Sequence, residues 1–150
     1  MPRHPFFDLA AADPPNSEFP MSRFLRYWLP LIAYCLFIFL QSSSDSPLEL
    51  SAFSHMDKVL HAGAYGLLGI LFYRAYRSRW PNASGWTMAN ASLLSAAFYG
   101  LTDEFHQYFV PGRSADPWDW LADTIGAMLG VIAYHALMYY QSRKASTWPN

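Results

Sequence analysis

The chain has 150 residues, with ten Lys or Arg against eleven Asp or Glu and a net charge of -1 at neutral pH. That balance excludes a nucleic-acid binder, which needs a basic patch to neutralise phosphates. The length fits one domain, and a single cysteine, Cys35, excludes an intramolecular disulfide.

Aromatic residues are abundant at 18 % and charged residues scarce at 14 %, where about a quarter is charged in ordinary soluble domains. The mean hydropathy of +0.04 hides this bias, because polar tails dilute it and Tyr and Trp score as hydrophilic. How the apolar residues are grouped is more informative. No Gly-rich phosphate loop, CxxC pair or HExxH motif is present.

The first residues, MPRHPFFDLAAADPPNSEFP, are proline-rich and aperiodic, and residues 1–23 are expected to form a disordered tail. Met21 opens a stretch, MSRFLRYWLP, that resembles a natural N-terminus, so translation starting there is an alternative to Met1. Four apolar segments follow, from Phe24 to about Leu40, Lys58 to Tyr76, Thr87 to Phe109, and Trp118 to about Gln141. Each is at or near the ~20 residues that span a ~30 Å hydrocarbon core. The first is the shortest, and Pro30 is expected to kink it. Its basic flank and short apolar core also fit a signal peptide, but the serines after Leu40 offer no small-residue cleavage site.

A soluble bundle would need a polar outer stripe on each helix, whereas LLGILFY and TIGAMLGVIAYHALMYY are apolar almost all round. Tyr and Trp gather at segment ends, as they do at a bilayer interface. The expected fold is therefore all-α, an integral membrane bundle of four transmembrane helices over residues 24–141, with a short tail at 142–150. Gly126 and Gly130 form a GxxxG on the fourth segment, and Ala62 and Gly66 stand one turn apart on the second; such small residues let membrane helices pack closely.

With four spans, one side holds Arg3, Arg23, Arg26, Arg74, Arg77, Arg79, Arg143 and Lys144, and the other only Lys58 and Arg113. This asymmetry predicts both termini inside. The sequons at Asn82 and Asn90 then have no meaning for glycosylation.

On this topology the unusual polar residues collect at the outer end. Asp57 and His61 stand one turn apart on the second helix; Asp103, Glu104, His106 and Gln107 end the third; Arg113 and Asp116 lie in the outer loop; Asp119 and Asp123 begin the fourth. Charged groups in membrane helices cost several kcal/mol unless paired or wet, so they mark sites by default. The candidate catalytic residues are His106 as general base, oriented by Asp103, and His61. Asp57, Glu104, Gln107, Arg113, Asp119 and Asp123 are the candidate binding residues, with Arg113 suited to clamp a phosphate or carboxylate. No spacing is a metal signature and no cofactor is expected, although two histidines among carboxylates also suit a divalent cation. A structural ion-pair network is the remaining alternative. His135 is expected to be a packed histidine, and His4 and His55 solvated.

The strings DKVLHAGAYGLLG and YGLTDEFHQYFVPGRSADPWDWLADTIGAMLG resemble the VanZ-like family of bacterial membrane proteins, over roughly residues 24–140. The family is named for a teicoplanin-resistance protein, and the resemblance implies a cytoplasmic-membrane protein of the cell envelope. Its pattern falls on Asp57, His61, Tyr65, Asp103, Glu104, Gln107, Arg113, Asp119, Asp123, Gly126 and Gly130. The family often has Asn where this chain has Asp123, and the added acid favours cation binding there. The resemblance implies no reaction.

Three functions are open at this point. One is binding of an anionic lipid or cell-wall precursor head group at the outer leaflet. Another is hydrolysis or transfer of a lipid-linked phosphate or ester. The third, an ion-coupled carrier, is weakened because carriers place charges near the midplane. Ser114 is the only hydroxyl nucleophile near the cluster, which disfavours covalent catalysis.

Overall fold

The computed structural model describes residues 21–44 and 56–146. Helix α1 covers Met21–Ser42. Its stretch Phe24–Trp28 is wound as a π-helix, with the Leu29 N–H reaching the Phe24 carbonyl. Pro30 explains the wide turn, since it has no N–H for the Arg26 carbonyl and its ring would collide with that carbonyl in a regular α-turn. Helix α2 spans Met56–Arg79, α3 Gly85–Gln107 and α4 Pro117–Ser146. No strand occurs among the described residues, so the fold is all-α.

Polar residues start the last two helices. Ser84 caps α3, its hydroxyl accepting from the Thr87 N–H at 3.0 Å. Asp116 caps α4 by accepting from the Trp118 N–H at 2.9 Å, and Pro117 takes the first helical position, where no N–H is needed.

Successive helices run antiparallel. Ser43 meets His106 and Lys58 meets Asp116 at one end of the bundle, while Trp28 meets Tyr76 and Tyr73 meets His135 at the other. The first end is rich in acids. The second carries Arg23, Arg26, Arg74, Arg77, Arg79 and Arg143.

The bundle is apolar outside and small or polar within. The buried face of α3 is Met88, Ala89, Ser92, Ala96, Gly100, Asp103, Glu104 and Gln107. Its outward face carries Leu94 at 70 % exposure, Phe98 at 68 % and Phe105 at 68 %. Water would penalise so much exposed apolar surface, whereas lipid would solvate it. Among the described residues, Met21–Ser42 and Pro117–Lys144 are the segments long and apolar enough to cross a membrane. α2 and α3 are long enough at about 1.5 Å per residue, but the ionisable and hydroxyl groups that they turn inward lower their hydropathy.

The tightest packing is between α2 and α4. A Cβ on Gly126 would run into the Ala62 backbone, and one on Gly130 into the Gly66 backbone. A Cβ on Gly69 would sit 2.9 Å from the Ala127 carbonyl oxygen. The two backbones touch along this seam, as the small residues led us to expect. Leu68, Leu71, Tyr65, Ala96 and Ala127 fill the core around it, with Leu31 and Ile38 reaching in from α1.

The observed boundaries correct some expectations. α1 begins at Met21, so residues 21–23 belong to the helix and not to the tail. α4 runs on to Ser146, into the region expected to be the tail at 142–150, because no glycine or proline stops it and Arg143 and Lys144 suit the negative end of the helix dipole. α3 ends at Gln107, short of Phe109. The expected disorder of residues 1–20, and His4 and His55, lie outside the described residues.

Candidate functional site

At the acid-rich end, α2 and α4 form two polar rungs outside the glycine contacts. The outer rung is Lys58, whose ammonium binds Asp119 and lies 2.6 Å from Asp116 and 3.5 Å from Asp57. Asp116 is held below the usual carboxylate range by the Lys58 hydrogen bond, followed by the Trp118 N–H. The inner rung is His61, whose Nδ1 sits 3.0 Å from Asp123 Oδ1. Sequence spacing supports this pairing: Lys58 and His61 are one turn apart on α2, as Asp119 and Asp123 are on α4. The Ala62–Gly126 contact lies just beneath and brings the short aspartate within reach of the imidazole.

α3 closes the site from the third side. Glu104 Oε2 accepts the Asp116 backbone N–H at 2.8 Å, tying the start of α4 to α3. Asp103 Oδ2 accepts from Gln107 Nε2 at 3.1 Å. Gly100 makes room for the inner rung: a Cβ there would meet Tyr65 Cε1 at 3.1 Å and Asp123 Oδ2 at 3.2 Å. Three buried polar atoms converge here without a partner among the described residues, namely Asp123 Oδ2, Glu104 Oε1 and the Tyr65 hydroxyl. Asp123 is fully buried and Glu104 is 6 % exposed. The His61 side chain is 23 % exposed and is the most accessible member of the cluster.

Not every predicted residue joins this cluster. His61, Glu104 and Asp123 meet, with donor atoms all within 4.8 Å of one another. Asp119 belongs to the outer rung, and Asp57 stands at its exposed rim. His106 does not pair with Asp103. Its Nε2 lies 3.0 Å from Ser43 Oγ, and its ring packs on Phe39 with centroids 4.6 Å apart. Helix geometry explains the difference, since successive residues are about 100° apart and Gln107 takes the direction shared with Asp103, leaving His106 turned toward α1. Arg113 is also directed to α1, donating to the Gln41 carbonyl at 3.1 Å, where its charge complements the end of that helix. Its buried Nε–H has no acceptor among the described residues. His135 is packed as expected, with Nδ1 2.8 Å from the Tyr73 hydroxyl and the ring against Trp86.

Two contributors escaped the sequence reading. Lys58 is one of only two basic residues assigned to the outer side, and that rarity beside Asp57 was its signal. Gly100 shows no sequence signal distinguishing it from other helix glycines.

An all-helical bundle with apolar outer faces and buried ionisable groups at one end belongs to the class of helical membrane proteins. The particular assignment follows from comparison: the family model described as VanZ/LLP1 matches residues 16–139, and the chain belongs to that family. No curated protein and no solved structure matches it.

Proposed function

We propose that the chain is a four-span protein of the bacterial cytoplasmic membrane, with both termini inside and the acid-rich end facing out. In this reading the outer end is a polar pocket that binds the head group of a lipid or cell-wall precursor. Its link to glycopeptide resistance is that occupancy of such a pocket changes access of the antibiotic to its target. The observation that carries this reading is the gathering of buried ionisable groups from three helices at one end of a bundle whose exterior is apolar. Arginines at the opposite end support the orientation.

The pocket is acidic, so an anionic head group needs a cation to receive it. Arg113, at the same end of the bundle and only partly buried, supplies one by turning from the Gln41 carbonyl. A second reading is a membrane enzyme acting on a lipid-linked phosphate or ester. It is favoured by the His61–Asp123 pair, in which a buried carboxylate orients a partly exposed imidazole as a general base requires. His61 replaces His106 in that role.

Topology is checked by fusion. Alkaline phosphatase joined after Ser44 or after Arg113 is expected to be active, and after Arg79 inactive; the reverse pattern overturns the orientation. Head-group binding is checked by mass spectrometry of the purified protein. An anionic lipid or precursor is expected to co-purify, and Arg113→Ala to reduce it about tenfold or more, as loss of a charge-assisted hydrogen bond implies. Equal recovery from both proteins would refute the clamp.

A further inference from the structure

Among the described residues, the buried carboxylates at the acid-rich end exceed the cations available to them. Lys58 is occupied by Asp116 and Asp119, and Arg113 by the Gln41 carbonyl. Asp103 is met by Gln107, and among the described residues Glu104 and Asp123 are left with His61 as their one nearby cationic group. A buried carboxylate has to be paired, protonated or coordinated to a cation.

The geometry favours the cation. Each of two carboxylates uses one oxygen inside the protein and leaves the other free. Asp123 binds His61 through Oδ1, and Glu104 binds the Asp116 N–H through Oε2. The remaining oxygens, Asp123 Oδ2 and Glu104 Oε1, are buried without a hydrogen-bond partner among the described residues. The Asp116 N–H holds the Glu104 carboxylate in position, as second contacts do for metal-binding carboxylates, and His61 and Asp123, already 3.0 Å apart, turn together to an ion that enters between them. The donor atoms of His61, Glu104 and Asp123 lie within 4.8 Å of one another. Metal–ligand bonds of about 2.0–2.2 Å bring donors somewhat closer than that, a change that side-chain rotation supplies. The three donors come from three helices, and the partly exposed His61 offers an entry path.

We propose that His61, Glu104 and Asp123 form a binding site for one divalent transition-metal ion. The mixed imidazole and carboxylate set suits Zn²⁺ or Mn²⁺, whereas Mg²⁺ and Ca²⁺ prefer oxygen alone. The Tyr65 hydroxyl stands by as a further oxygen or as a partner for a metal-bound water. Such an ion offsets the excess of acid and presents positive charge at this end of the bundle. The site stands whether or not a head group binds there.

The test uses the full chain, purified in detergent with any polyhistidine tag removed and stripped with a chelator. Wild-type protein is expected to take up one Zn²⁺ or Mn²⁺ per chain and to melt at a higher temperature with the ion than without. Mg²⁺ at the same concentration is expected to do neither. Glu104→Gln keeps an acceptor for the Asp116 N–H, and Asp123→Asn keeps one for His61, so both are expected to fold. Each is expected to weaken binding by at least about 100-fold, as is His61→Gln. Uptake unchanged in these variants places the ion elsewhere and overturns the proposal. No uptake by the wild type overturns it too, and the carboxylates are then protonated. Should the variants fail to fold, wild-type protein decides: electron spin-echo modulation of bound Mn²⁺ is expected to show one imidazole nitrogen, and none or several would refute the site.

Discussion

Gly130→Ala is expected to lower the melting temperature of the solubilised protein, and Gly63→Ala to raise it. The chemical change is the same, a single methyl group on a helix of the same bundle. At Gly63 a Cβ meets nothing within 4 Å, so the substitution relieves the cost of glycine in a helix, about 0.5–1 kcal/mol. At Gly130 the new methyl would run into the Gly66 backbone, which has no rotamer to change. α2 and α4 would have to separate, at an overpacking cost of about 1–3 kcal/mol. Separation also pulls His61 from Asp123, because the glycine contacts set the gap those side chains bridge. Gly130→Leu is then expected to prevent folded protein from accumulating. Thermal unfolding with size-exclusion profiles reads all three. A Gly130→Ala protein as stable as wild type would mean that α2 and α4 do not touch there.

Lys58→Met is expected to be the most damaging loss of a single charge. One ammonium serves Asp116, Asp119 and Asp57, so its removal leaves three carboxylates facing one another. Lys58→Arg, which keeps the charge, is expected to retain most of the stability, and Lys58→Glu to be worse than Met. The defect has a definite pH dependence. Asp116 is held below the usual carboxylate range by Lys58, so this contribution is fully present above the unfolded-state value of about 3.9 and disappears as pH falls through the folded-state value. The gap in melting temperature between wild type and Lys58→Met is therefore expected to be wide at pH 7 and to narrow below about pH 4. A gap independent of pH would show that lost packing of the lysine stem, and not the ion pairs, is responsible.

Much of the architecture is legible in the residues. Apolar runs of near-bilayer length mark the helices, and the Asp-Pro pair at Asp116 and Pro117 stands at the start of α4. Ala62, Gly66, Gly126 and Gly130 mark close-packing faces on the second and fourth segments, which the structure joins in one seam. Local order along one helix is enough for such features, since spacing alone places Asp119 with Asp123 and Gly126 with Gly130 on shared faces. The strings around His61 and Asp123 were also sufficient to indicate the VanZ-like family, and the VanZ/LLP1 match agrees.

The choice of partners across helices was not legible. Asp103, His106 and Gln107 look equivalent by spacing, yet only Asp103 and Gln107 face the interior while His106 turns to Ser43. Lys58, counted in the sequence only as an outer-side basic residue, proves to join three acids. Periodicity determines which residues share a face of a helix, and composition determines that the face is buried. The axial register and rotation between helices are settled only when the Ala62–Gly126 and Gly66–Gly130 backbones come into contact. That contact decides that His61 meets Asp123 and leaves two carboxylate oxygens buried with no partner among the described residues.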